Sequence, residues 1–331
     1  MIQIGIRRAG LSVVALAALA CGMRDVWAAE NAGFTSGIAV ASKAQSVAPE
    51  SLVQREFANA VVRKTFSYQT ASPGQPAQTL DIYLPARPTL HRPLIVYVHG
   101  GGWSGGHSRV AGAFEDFPEV LARISGQGYV VASVNYRLSA QAIFPAALED
   151  VGTVMRWLQS HEQPFGIDTS RTALWGSSAG GQLATLAALT CNHRQDASTP
   201  CAKVLISWFG VYDFPALLDQ PGFAAIGEAA RQYLGCAKHS CPSAVLDAAS
   251  PIAHLDHLPA SVLLIHGTAD RVMPYQQSLA MAQAIQREHG QVALMLLPEV
   301  GHSFVGVDPA TTQSANYRAL HATLRFLTDH L

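Results

Sequence analysis

A three-layer α/β fold, with a mostly parallel central sheet and helices on both faces, is predicted by three observations. Apolar runs of strand length alternate with stretches of helical spacing, the pattern that produces crossover connections and parallel pairing. Several runs are apolar at nearly every position, as strands buried on both faces are. At 331 residues, 49% hydrophobic and 14% charged, the chain can bury one large core.

Ala60 to Tyr68 and Gln78 to Leu84 read as early strands. Pro93-Leu-Ile-Val-Tyr-Val98 and Gly128-Tyr-Val-Val-Ala-Ser-Val134 are the near-continuous runs of buried parallel strands. Pro145 to Ser160 opens on proline and carries Leu148, Val151, Val154, Met155 and Leu158 at helical spacing. Thr172 to Trp175 is a short strand, and Gln182 to Leu189 a helix. Lys203 to Trp208, Ser261 to Ile265 and Val292 to Leu297 continue the sheet, with helices at Tyr275 to His289 and Thr312 to His330. Asp213 to His257 breaks the alternation with helical pieces and Pro/Gly turns. It is expected to be a small lid insertion, with a long surface connection as the alternative. Residues 52–331 form the folded domain, and no internal repeat is visible.

The N-terminus is of another kind. Arg7-Arg8 precede the apolar stretch Ala9 to Met23, and Val26-Trp27-Ala28 fits a small-residue cleavage rule. Residues 1–28 are therefore expected to be a signal peptide, and 29–51, rich in Ala, Ser and Gly, a flexible linker. An apolar stretch of about 15 residues is short for a membrane span. Ala18-Leu19-Ala20-Cys21 is a loose lipobox, so lipoprotein anchoring through Cys21 is the alternative to free export (periplasmic or secreted). Loss of Arg7, Arg8, Arg24 and Asp25 removes a net +2 and takes the formal charge from −1 to −3. That leaves no basic footprint for nucleic acid.

Four cysteines remain after such cleavage, an even number that suits disulfides in an oxidising compartment. Three pairings are open. The sequence-local one, Cys191–Cys201 with Cys236–Cys241, closes two short loops and is preferred. Neither segment has the spaced Cys/His pairs of a zinc site, and no metal is expected.

Gly176-Ser177-Ser178-Ala179-Gly180 lies between the strand ending at Trp175 and the helix beginning near Gln182. G-x-S-x-G at a strand-to-helix turn is a nucleophile elbow, the signature of an α/β-hydrolase fold, and its central residue is Ser178. Acyl transfer by serine needs a base, an acid that orients the base, and donors for the oxyanion. In chain order the acid precedes the histidine. Asp270 follows the strand ending at Ile265 and His302 follows the one ending at Leu297, each just past a carboxyl end where open α/β sheets place their sites. His266 precedes Asp270, the wrong order for the base, and reads as a hydrogen-bonded strand-end residue. Glu299, three residues from His302, reads as a solvated loop charge.

His99-Gly100-Gly101-Gly102-Trp103 follows the strand ending at Val98 and is an HGGG-type loop. Gly101 and Gly102 are the expected oxyanion donors, joined by the N–H of Ala179. His99 is expected to brace the loop. A phosphate-binding reading fails because no G-K-[ST] continuation and no helix N-cap follow the loop at once.

Together with Leu80-Asp81-Ile82-Tyr83-Leu84-Pro85, Tyr136-Arg137-Leu138, Phe144-Pro145-Ala146-Ala147 leading to Asp150, Gly267 to Asp270 and Gly301-His302-Ser303-Phe304, these motifs carry a family likeness. The chain resembles the bacterial carboxylesterase, feruloyl-esterase-like branch of the α/β hydrolases, which is similar to the hormone-sensitive-lipase group. The resemblance spans nearly all of residues 60–331. Two departures from the lipase group, Ser177 where Asp is usual and Trp103 after the glycines, fit the feruloyl-esterase-like branch better and leave the triad intact.

The function expected is hydrolysis of a small-molecule ester, short-chain or aromatic (feruloyl-type), through an acyl-enzyme and without a cofactor. An amidase or arylformamidase would use the same machinery. Trp103, Trp208, Val272, Met273 and Phe304 adjoin catalytic loops and are the expected pocket walls, with plain core packing as the alternative for Trp208 and Met273.

Overall fold

The computed structural model describes residues 55–71, 76–85, 89–191, 200–236 and 240–331. The expected leader, linker and lipobox lie outside them. Among the described residues nine strands form one sheet: β1 (Arg55–Glu56), β2 (Val61–Gln69), β3 (Gln78–Pro85), β4 (Arg92–Val98), β5 (Val130–Val134), β6 (Ile167–Ser177), β7 (Val204–Trp208), β8 (Ser261–Gly267) and β9 (Val292–Leu297). Their spatial order is β1-β2-β3-β5-β4-β6-β7-β8-β9. The pairs from β1 to β5 run antiparallel, and every pair from β5 through β4 to β9 runs parallel.

Side-chain alternation explains the two cores. In β4, Leu94, Val96 and Val98 enter one hydrophobic cluster and Ile95 and Tyr97 the other. Successive side chains of a strand point to opposite faces, so a strand apolar at every position must be covered twice. On the first face lie α2 (Ala146–Ser160), α4 (Ala179–Thr190) and α8 (Gln276–Arg287), which supply Leu148, Val151, Leu183, Leu186, Met281 and Ile285. On the second lie α1 (Phe117–Ser125) and α9 (Pro309–His330), with Phe117, Leu121, Ala319 and Leu327. The one-turn helix α3 (Glu162–Phe165) leads into β6.

The sequence reading did not include α1, although its signals are present. The Asp116 carboxylate accepts the Glu119 N–H, Pro118 occupies the first turn, and Gly126 ends the helix. β6 is longer than Thr172 to Trp175, because Arg92 and Pro93 pair with Ile167 and Asp168 before a register shift. Between β7 and β8 the expected insertion contains α5 (Phe214–Leu218), α6 (Ala224–Leu234) and α7 (Ser243–Ala249). Both sequence-local disulfides are present: Cys191–Cys201 ties the end of α4 to the approach to β7, and Cys236–Cys241 closes the α6–α7 connection.

Register aligns the carboxyl ends. Val98 is level with Val134 and Gly176, Ser177 with Trp208, Trp208 with Ile265, and Gly267 with Leu297. The loops after β4, β6, β7, β8 and β9 therefore converge on one edge.

Candidate active site

Ser178 joins β6 to α4 with φ 53° and ψ −122°, an orientation that costs a non-glycine residue on the order of 1–3 kcal/mol. Its N–H donates to the Trp208 carbonyl (2.8 Å), and its carbonyl accepts the Gln182 N–H of the first helical turn. The turn can be this tight because Gly180 has no side chain: a Cβ there would collide with the carbonyl oxygens of Val98 and His99. The hydroxyl emerges at the sheet edge.

His302 Nε2 lies 3.2 Å from Ser178 Oγ, and its Nδ1 lies 2.7 Å from Asp270 Oδ2. The Phe209 ring stands edge-on to the imidazole at 4.7 Å. Since a carboxylate only accepts, Nδ1 carries a proton and Nε2 of the neutral ring is free to accept from the serine. Asp270 is buried, and desolvation alone would push its carboxyl pKa up. The donors around it, His266 and His302 foremost and then the Met273 N–H, outweigh burial and hold the pKa well below the usual carboxylate range. The arrangement can move a proton off Ser178 and stabilise the imidazolium that results.

The loop after β4 crosses close over the elbow. Gly101 has φ 117°, and a Cβ on it would strike the Gly105 backbone. Among the described residues the N–H groups of Gly101 and Gly102 find no backbone acceptor. Ala179 stands in the first turn of α4, where N–H groups lack intrahelical partners. His99 is fully buried and stacked on Tyr136 (4.3 Å, 14°), with Nδ1 donating to the Gly100 carbonyl at 2.7 Å. Burial lowers its pKa to about 4, so it is neutral at pH 7.

The insertion lies against this loop. A Cβ on Gly102 would come within 3.8 Å of Ala229 Cβ on α6. Trp103 is buried, stacked on Tyr233 of α6 (4.7 Å, 9°). Its indole N–H donates to Gln182 Oε1, and Gln182 Nε2 donates to the Ala249 carbonyl at the end of α7. Sequence reasoning did not find Gln182 as a clamp or Phe209 beside His302. Phe209 sits directly past a strand end, the position that marked the other site residues.

The other expected wall residues differ in placement. Val272 is exposed at the rim. Met273 is buried, and its N–H donates to Asp270 Oδ1. Trp208 and Phe304 pack on each other (5.1 Å) in the second-face core, and the Trp208 indole donates to Thr323. Alternation accounts for Trp208: Ser207 takes the first face, so its neighbour takes the second. Glu299 is exposed, as a solvated loop charge is. Among the described residues no group of three or more His, Cys, Asp or Glu could hold a metal ion, and no helix is long and apolar enough to cross a membrane.

Fold and site together define an α/β hydrolase with a serine–histidine–carboxylate constellation at its sheet edge. The BD-FAE family model matches residues 80–285, and the chain belongs to that family. Esterase LipC of Mycobacterium tuberculosis is 30% identical over 247 residues, covering 72% of this chain and 59% of LipC. The chain thus spans little more than half the length of LipC and of two further curated relatives from the same organism, LipM and LipQ. Esterase LipW of Mycobacterium marinum superposes with TM-score 0.62 at 26% identity, over 82% of this chain and 83% of that one. A Thermogutta terrifontis esterase 2 phosphonylated by sarin has the same fold (TM-score 0.66, 22% identity, 80% and 94% covered).

Proposed function

We propose that this chain is a serine hydrolase of small-molecule carboxylic esters, with Ser178 as nucleophile, His302 as general base and Asp270 as the acid that orients it. The observation that carries the reading is His302 bridging Ser178 Oγ at 3.2 Å and Asp270 Oδ2 at 2.7 Å. Ser178 Oγ attacks the ester carbonyl while His302 Nε2 takes its proton. The oxyanion is received by the N–H groups of Gly101, Gly102 and Ala179, each worth about 3 kcal/mol to the transition state. Collapse expels the alcohol, which leaves with the proton from His302. Water, deprotonated by His302, then attacks the acyl-enzyme and frees the acid.

The insertion over Gly102, where Ala229 of α6 comes closest and the buried Trp103–Tyr233 stack anchors it, supports a lid over the loop after β4. Short-chain or aromatic, feruloyl-type acyl groups are the proposed substrates, on the resemblance to the feruloyl-esterase-like branch and on the apolar Phe209 ring beside His302. The names of the relatives favour esters over the amides that the same machinery could cleave. We expect purified protein to hydrolyse p-nitrophenyl acetate and butyrate and methyl ferulate, and Ser178→Ala to lose at least about 1,000-fold in kcat. Folded Ser178→Ala with retained activity rules the assignment out. Comparing the three substrates reads the acyl preference.

Export is proposed on the two disulfides and the leader-like N-terminus. The mature chain recovered from cells is then expected to begin at Ala29, read by intact mass. Recovery of the uncut chain from the cytoplasm would contradict this.

A further inference from the structure

His266, in β8, is fully buried and is not used by the reaction as written. Its Nε2 lies 3.2 Å from Asp270 Oδ2 and 3.1 Å from the Met273 carbonyl oxygen, and its Nδ1 lies 2.7 Å from the Ser278 hydroxyl on α8. A carboxylate and a carbonyl only accept hydrogen bonds, so Nε2 carries the proton and shares it between them. A neutral ring then accepts the Ser278 hydroxyl proton at Nδ1. Asp270 thus has four donors: the Val272 and Met273 N–H groups on Oδ1, both at 2.8 Å, and His302 and His266 on Oδ2.

We propose that His266 is a positioning residue for the reaction: by sharing Asp270 Oδ2 with His302, it fixes the carboxylate and tunes how strongly that oxygen holds the catalytic imidazole. The inference rests on the triad assignment above. Two histidines on one carboxylate oxygen divide its negative charge. With His266 removed, Oδ2 serves His302 alone, favours the charged ring more strongly, and is free to rotate on its remaining bonds.

The surroundings leave few other groups to act in this way. Across Ser278 stands the Tyr212 phenol, from the segment after β7, which bonds Ser207 and Ser278; burial raises it to about 12, so it is neutral. His302 faces Asp270, the Ser178 hydroxyl and the Phe209 ring. Arg271 and Glu299, the neighbouring charges in sequence, are exposed.

The test compares His266→Leu, which removes the donor, with His266→Gln, which keeps an N–H at similar reach. His266→Leu is expected to lower kcat about 10- to 100-fold with KM within about twofold. The acidic limb of its kcat/KM profile is expected to move to higher pH by on the order of half a unit. His266→Gln is expected to recover kcat to within about threefold of wild type and to restore the limb. A His266→Leu enzyme with wild-type kcat and pH profile, or Gln and Leu variants equally impaired, overturns the proposal. Should His266→Leu fail to fold, Ser278→Ala decides: a severalfold loss of kcat with the same limb displaced supports the role, and an unmoved profile removes it. Phosphonate labelling of wild-type Ser178 separates the two levels. Without it the triad assignment falls as well; with it, a negative result concerns His266 only.

Discussion

His99 shows how much a residue beside the chemistry can matter to the fold. Buried and stacked on Tyr136, it holds the Gly100 carbonyl, and burial keeps its ring neutral against the pull of that bond. The unfolded chain binds a proton at this histidine below about pH 6.5, whereas the folded one does so only below about pH 4. The unfolded state therefore binds more protons between these values, and stability rises with pH across that window. The contribution is full above about pH 6.5 and is lost as pH falls towards 4, a loss on the order of 3 kcal/mol. Denaturant unfolding at pH 7 and pH 5 measures it: wild type should lose stability between them, and His99→Asn should lose less. Equal losses would mean that His99 is not the group responsible. The sequence marked His99 as a brace, but the stack on Tyr136 joins residues on two different strand ends and no local pattern encodes it.

At the scale of elements, the parallel strands and the helices behind them were legible because burial on both faces writes a continuous apolar run. The limits of β6 were not, since its first residues pair with Arg92 and Pro93 across the sheet. α1 was legible from its cap and was missed. The pocket walls were the least legible part: adjacency to a catalytic loop says nothing about which face a side chain takes, and Trp208 and Phe304 went to the core. The disulfides make a prediction at this scale. Cys191–Cys201 spans 10 residues, which in the loop-entropy picture corresponds to roughly 2–3 kcal/mol. Replacing both cysteines by serine should lower stability by about that amount and the melting temperature by roughly 5–10 °C, with kcat little changed because the bridge lies at the far end of α4 from Ser178. An unchanged melting temperature would remove its stabilising role.

Over the whole molecule, the register of six parallel strands brings residues from distant parts of the chain to one edge: the HGGG loop after β4, Ser178 after β6, Phe209 after β7, Asp270 after β8 and His302 after β9. The order of these residues in the sequence named the candidates. Only the packed sheet puts Ser178 and His302, 124 residues apart, at hydrogen-bond distance. The same convergence adds His266 behind Asp270 and lays α6 over Gly102. Reaction with a serine-directed phosphonate, followed by peptide mapping, tests the acyl-transfer assignment most directly. The predicted result is one adduct, on the peptide carrying Ser178, formed in step with loss of esterase activity. An unmodified Ser178 in folded protein, or full activity in protein modified there, would contradict it.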